Sequence, residues 1–124
     1  MLRAPSRSTL RKLFRKEVVL KRYTYGPEDS YGQKAKTGSE TYPLKAEIQE
    51  IVAEDAIQLV PAELGIGDAY GFFLPSYIVK GQTIIIALED EVIWNYKTWR
   101  IENIEDYYIG KKLSHKRALL KRVV

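Results

Sequence analysis

Apolar and polar residues alternate cleanly over TYPLKAEIQEIV (41–52). Tyr42, Leu44, Ala46 and Ile48 fall on one face, and Lys45, Glu47 and Gln49 on the other. A period of two marks a half-buried β-strand, because successive side chains of an extended chain point to opposite sides. KEVVLKRYT (16–24) is β-branched and alternating, so it predicts a second strand. Between them TYGPEDSYGQKAKTGSE (24–40) is dense in Gly, Pro, Ser and Asp, and predicts a long exposed loop over 24–41. Residues 53–69 have no clean period and predict a second, Gly-containing loop. YGFFLPSYIV (70–79) predicts a strand broken at Pro75, and TIIIAL (83–88) has the length of a buried strand after a turn at Lys80-Gly81.

DEVIWNYKTWRIENIED (90–106) holds both tryptophans of the chain. A turn centred on Tyr96-Lys97 sets Trp94 opposite Trp99 on one sheet face, where paired aromatic rings fix register. The turn lacks glycine, although Asn95 tolerates a left-handed backbone. The apolar phase slips between Ile101 and Ile104, which predicts a bulge. SHKRALLKRVV (114–124) reads as an imperfectly alternating last strand. At the other end, Ser8 or Thr9 can cap a short helix that places Leu10, Leu13 and Phe14 on one side. Five or six short strands with turns at this spacing predict a mainly β protein, a small closed antiparallel barrel with a short N-terminal helix and long loops.

With 124 residues, 45% hydrophobic and 29% charged, the chain is read as a single domain, 1–124, with a basic segment 1–15 and the barrel at 16–124. The absence of cysteine removes disulfide scaffolds, zinc fingers and thiol nucleophiles from consideration. No apolar run approaches the roughly 18–20 residues of a membrane span. The net charge of +4 is unevenly spread: residues 1–16 and 107–124 together carry +12 and no acid, while the middle carries −8. Such ends suit nucleic acid, an acidic partner or a neighbouring copy. The Arg- and Ser-rich start also has the look of a transit peptide, but a capped helix is the simpler reading.

Chemistry is sparse. His115 is the single histidine, in a basic segment, and reads as a lone surface residue. Glu54-Asp55, Glu89-Asp90-Glu91 and Glu105-Asp106 read as solvated acids at turns rather than a magnesium site. GIGDAYG (65–71) lacks the spacing and the βαβ frame of a dinucleotide loop. YGFF (70–73) reads as packed core rather than a base-stacking platform, since Lys80 is the nearest base along the chain. No catalytic motif is present, so we expect a protein without enzymatic activity and without a cofactor.

The order of elements resembles a known family. A strand VVLKRYT, the stretch Asp29-Ser30-Tyr31-Gly32, a strand YPLKAEI, a variable stretch and a hairpin over 91–104 precede a last strand ending Leu119-Leu120-Lys121-Arg122. This resembles the head-closure proteins of tailed bacteriophages, also called head–tail joining or stopper proteins, over about residues 16–123. The family's Asp-x-Ile before the hairpin is here Glu91-Val92-Ile93, its small turn residue is replaced by Tyr96 or Lys97, and 53–90 match least. The resemblance implies an SH3-like barrel in a ring below the portal and its adaptor, in the neck of the virion, after synthesis in the host cytoplasm. That ring would close the channel after packaging, touch the packaged double-stranded DNA and dock the tail. The channel-gating loop would be 53–69, with Glu54, Asp55, Gln58, Glu63, Gly65, Gly67 and Asp68. Arg11, Lys12, Arg15, Lys116, Arg117, Lys121 and Arg122 would meet neighbouring copies or the connector, and Trp94 and Trp99 would be structural. The alternative is a small β-barrel that binds nucleic acid through its basic termini.

Overall fold

The computed structural model describes residues 14–51, residue 65 and residues 67–123. The helix expected around Ser8 and Thr9 lies outside them. Among the described residues eight strands follow in chain order: β1 (Lys16–Glu28), β2 (Lys34–Glu50), β3 (Ala69–Phe73), β4 (Tyr77–Val79), β5 (Gln82–Ile84), β6 (Glu91–Trp94), β7 (Lys97–Ile109) and β8 (Lys112–Arg122). Six close an antiparallel barrel in the order β1-β2-β3-β8-β7-β6, with β6 returning to β1, while β4 and β5 form a separate hairpin. The mainly β, closed-barrel expectation therefore holds.

The alternation read from the chain builds the core. Val18 and Leu20 on β1 face Tyr42, Leu44, Ala46 and Ile48 on β2, and Ala69, Phe73, Ile84, Ile86, Val92, Trp99, Ile101, Ala118 and Leu120 join them in the interior. Trp99 is fully buried and donates its indole N–H to the Gly67 carbonyl at 2.9 Å, so its one polar atom is satisfied. The bulge falls at the expected phase slip. Ile101 faces Leu120 and Asn103 faces Leu119, which leaves Glu102 as the extra residue and turns Ile101 and Ile104 to the same side.

Three expectations need correction. The stretch 24–41 is not a loop. β1 and β2 continue as a two-stranded ribbon to the pair Glu28–Lys34, with irregularities beside Thr24 and Tyr25. The Asp29 carboxylate closes its end by accepting the N–H groups of Tyr31 and Gln33 at 2.8 and 2.9 Å, and Gly32 supplies a positive φ of 76°. Gly, Pro and Ser signalled exposure correctly. An exposed ribbon needs no apolar face, so its strands left no alternation to read.

The Trp hairpin turns one residue earlier than expected. Asn95 and Tyr96 occupy its centre with φ of 52° and 61°, a type I′ geometry, and Trp94 pairs with Lys97 while Trp99 pairs with Val92. The two indoles still share a face, as diagonal neighbours 6.5 Å apart and 25° from parallel.

TIIIAL is not one buried strand. β5 ends at Ile84, and Ile84 and Ile86 enter the core while Ile85 and Leu88 stay exposed. This segment folds against the barrel because the buried Asp90 holds it. Arg22 donates to both Asp90 oxygens at 3.0 and 2.8 Å, and to the Ile85 carbonyl at 2.7 Å. Asp90 also accepts the Ala87 N–H at 2.9 Å. Tyr77 adds a second tie, its hydroxyl donating to the Lys45 carbonyl at 2.7 Å and accepting the Leu74 N–H.

Gly71 sits where β3 turns its backbone to the core. A Cβ there would lie 2.5 Å from the Phe73 ring and 3.1 Å from Leu120 Cδ1. Gly71→Ala should destabilise the barrel by about 1–3 kcal/mol through overpacking, measured by urea unfolding; an unchanged midpoint would show that Phe73 has room to move.

Candidate functional site

β2 and β3 are joined through residues 52–68, and the two ends of that connection are tied together. Ile51 N–H donates to Asp68 O at 2.9 Å and Gly67 N–H to Ile51 O at 2.8 Å, extending the β2–β3 ladder by one rung. Gly67 has a φ of 93°, which its lack of a Cβ permits. The Asp68 carboxylate is buried and accepts the backbone N–H of Arg122 at 2.8 Å and of Gly65 at 2.9 Å, with Lys121 Nζ at 3.5 Å. Beside it Lys97 pairs with Glu50 at 2.8 Å. Thus Gly65, Gly67 and Asp68, expected in a gating loop, form a fixed neck at its C-terminal base. Glu54, Asp55, Gln58 and Glu63 lie outside the described residues.

The basic residues expected at interfaces serve first within the chain. Lys116 pairs with Asp106 at 2.8 Å, Arg117 with Glu105 at 2.7 Å and Lys121 with Asp68, tying β8 to β7 and to the neck. The Arg122 guanidinium lies over Trp99, and Arg15 is also engaged. Arg11 and Lys12 lie outside the described residues. The +12 of the termini is therefore partly balanced by acids from the middle of the same chain.

A second feature was hidden in the sequence. Phe73 is core, as expected of YGFF, but Tyr70 and Phe72 are only half-buried on the outer face of β3. Across the rung from Phe72 stands Arg117, whose guanidinium lies 5.0 Å from the Tyr70 ring and 5.5 Å from the Tyr107 ring. His115 is not a free surface residue: it stacks on Tyr107 at 4.8 Å and 3° from parallel, with Phe72 beyond it. Lys80 is nearest along the chain, but cross-strand pairing brings Arg117 nearer in space. Spacing alone carries no signal for that. Glu47 beside Phe72 and Glu105 beside Arg117 keep the patch from being strongly basic.

At the foot of the ribbon a hollow of about 430 Å³ is lined by Tyr23, Tyr25, Lys36, Glu89, Glu91, Arg100 and Glu102. Its charges are largely mutually engaged: Tyr23 donates to Glu91 at 2.8 Å, Lys36 sits over the Tyr23 ring and Arg100 pairs with Glu102. Among the described residues no group of three His, Asp or Glu could hold a metal ion, and no helix is long and apolar enough to cross a membrane. The described residues thus present a projecting ribbon, an aromatic face and a tied neck.

No protein-family model matches the chain, and no curated protein matches it. The fold is similar to the solution structure of protein SF1141 from Shigella flexneri 2a. The two share 16% identity and a TM-score of 0.53, covering 88% of this chain and 92% of that one. At that identity the likeness establishes the barrel fold and no activity.

Two expectations follow. Asp68→Ala strands the N–H groups of Arg122 and Gly65 and should lower stability by about 2–3 kcal/mol, read from the urea midpoint; a loss under about 0.5 kcal/mol, the usual surface range, would mean the neck is held without the carboxylate. Burial first, and the Arg117 charge second, lower the His115 pKa below its ordinary 6.5. Protonation thus favours the unfolded chain, and this contribution is present above pH 6.5 and is lost as the pH falls below 6.5 through the lower pKa of the folded ring. An NMR titration of this single imidazole should show a midpoint below 6.5; one at or above 6.5 would mean the ring is solvated.

Proposed function

We propose that this chain is a structural protein of the head–tail connector of a tailed bacteriophage. It forms a ring below the portal and adaptor, closes the DNA channel after packaging and docks the tail. The observation that carries this reading is the β1–β2 ribbon. Beyond Lys21 and before Glu47, β1 and β2 form a backbone ladder with no strand but each other. The ribbon holds Tyr25 at 44% and Tyr31 at 88% exposure. A two-stranded ribbon with both faces in water is marginally stable alone, and exposed aromatic rings on it gain most by burial against another protein. A rigid barrel carrying such an arm suits an assembly component. The neck at Ile51, Gly67 and Asp68 supports the same reading, because a loop that obstructs a channel needs a firm base.

The aromatic face of Tyr70, Phe72, His115 and Arg117 favours a second reading, a barrel that binds nucleic acid by base stacking. Glu47 and Glu105 beside it weaken the case, since phosphates would meet carboxylates.

Electron microscopy of capsids assembled with and without the protein tests the first reading. Heads lacking it should leak DNA or fail to take tails; heads that retain DNA and join tails normally would sink it. Affinity for DNA that is high and falls steeply as salt rises would favour the second reading.

A further inference from the structure

The barrel projects two ribbons, not one. β6 stops at Glu91, which pairs with Lys21 on one side and Arg100 on the other. Past that rung β1 and β7 both outrun it, so the β1–β2 turn and the β7–β8 turn leave the barrel at the same end. In the closed order β1-β2-β3-β8-β7-β6, the two ribbons occupy opposite walls, separated by β3 on one side and β6 on the other.

Their tips differ in charge. Residues 26–33 carry Glu28 and Asp29 and no base; residues 108–113 carry Lys111 and Lys112 and no acid. Among the described residues the Glu28 carboxylate meets Lys34 at a loose 3.9 Å, with both side chains exposed, which leaves most of its field available. Both tips also present apolar surface: Tyr31 on the first, and Tyr108 and Ile109 on the second, Tyr108 at 59% exposure.

We propose that the acidic tip of the β1–β2 ribbon docks on the basic tip of the β7–β8 ribbon of a second copy of this chain. Patches that differ from each other and sit on opposite walls make a head-to-tail contact, the kind that propagates into a ring when the rotation closes. Opposite charges set the register and tyrosine burial supplies the adhesion. The proposal rests on the ring reading only in taking the partner to be a copy of the same chain.

The absence of cysteine makes a clean test. Ser30→Cys marks one tip and Leu113→Cys the other, and a short bismaleimide links the thiols in the full-length protein. The chain with both cysteines should give a ladder of oligomers, and each single-cysteine chain nothing beyond a dimer. Adding Lys111→Glu and Lys112→Glu should cut the ladder about tenfold, and further adding Glu28→Lys should restore part of it. A ladder that ignores both charge reversals overturns the proposal. So does its absence, which would assign the ribbons to a foreign partner. A charge-dependent ladder together with heads that behave normally without the protein would leave this contact standing and remove the neck reading.

Discussion

Three rungs join β6 to β1, Val19–Ile93, Leu20–Val92 and Lys21–Glu91, and through them the sheet closes on itself. Everything else depends on that closure. β6 is only four residues long, and it reaches β1 because the Asn95-Tyr96 turn folds it back on β7 in the one register that sends Val92 and Trp99 inward together. With closure, Trp99 lies wholly inside and its indole N–H finds the Gly67 carbonyl. Without it, the edges of β1 and β6 would be open, and the tryptophan would stand on an exposed face. Large buried aromatic surface and a full ladder of backbone hydrogen bonds are thus won in a single step.

The shortness of β6 also sets what the barrel presents. Because the closing strand is shorter than its neighbours, the neighbours must project beyond it, and the polar ties around the end of β6 hold the foot of the projection. Arg22 and Asp90 form a bidentate pair at the first position past the closing rung, where the ribbon leaves the barrel and the 74–90 segment folds back against it. Removing Arg22 would strand the buried Asp90 carboxylate without its counter-charge. The opposite end is held in a like manner by Asp68, which gathers the last residues of β8 and the base of the 52–68 connection. One buried aspartate at each end therefore marks where loops meet frame.

Core-forming alternation was legible wherever one strand face was dry. Tyr42, Leu44, Ala46 and Ile48, the Ile101-to-Ile104 bulge and the break at Pro75 could all be read from spacing, since each changes which side chains face inward. The ribbon could not. Lys34, Lys36, Thr37 and Glu40 have water on both sides, so selection on burial left no period to detect. Ile84, Ile85 and Ile86 misled for the opposite reason: a run of isoleucines looks like a buried strand, but Ile85 turns outward where the chain leaves β5 to follow Asp90. The partnership of Tyr70 and Phe72 with His115, Arg117 and Tyr107 depends on register across β3, β8 and β7, which no local window contains.

The charge pattern shows the same limit in a form that bears on function. Segregated charge along a chain invites the idea of contact between molecules, yet antiparallel pairing brings β8 beside the acids of β7, so Lys116 and Arg117 meet Asp106 and Glu105 on a neighbouring strand. Charges spent in that way contribute little to a partner at a distance. What remains for intermolecular work are the charges that pairing cannot reach. Strand register delivers opposite charges to each other only where strands lie side by side; at the tips Glu28 still meets Lys34 on the last rung at a loose 3.9 Å, while Asp29 and Lys111 lie past it. A closed barrel therefore sorts its own charges: those on the walls become part of the frame, and those at the turns stay available for another molecule.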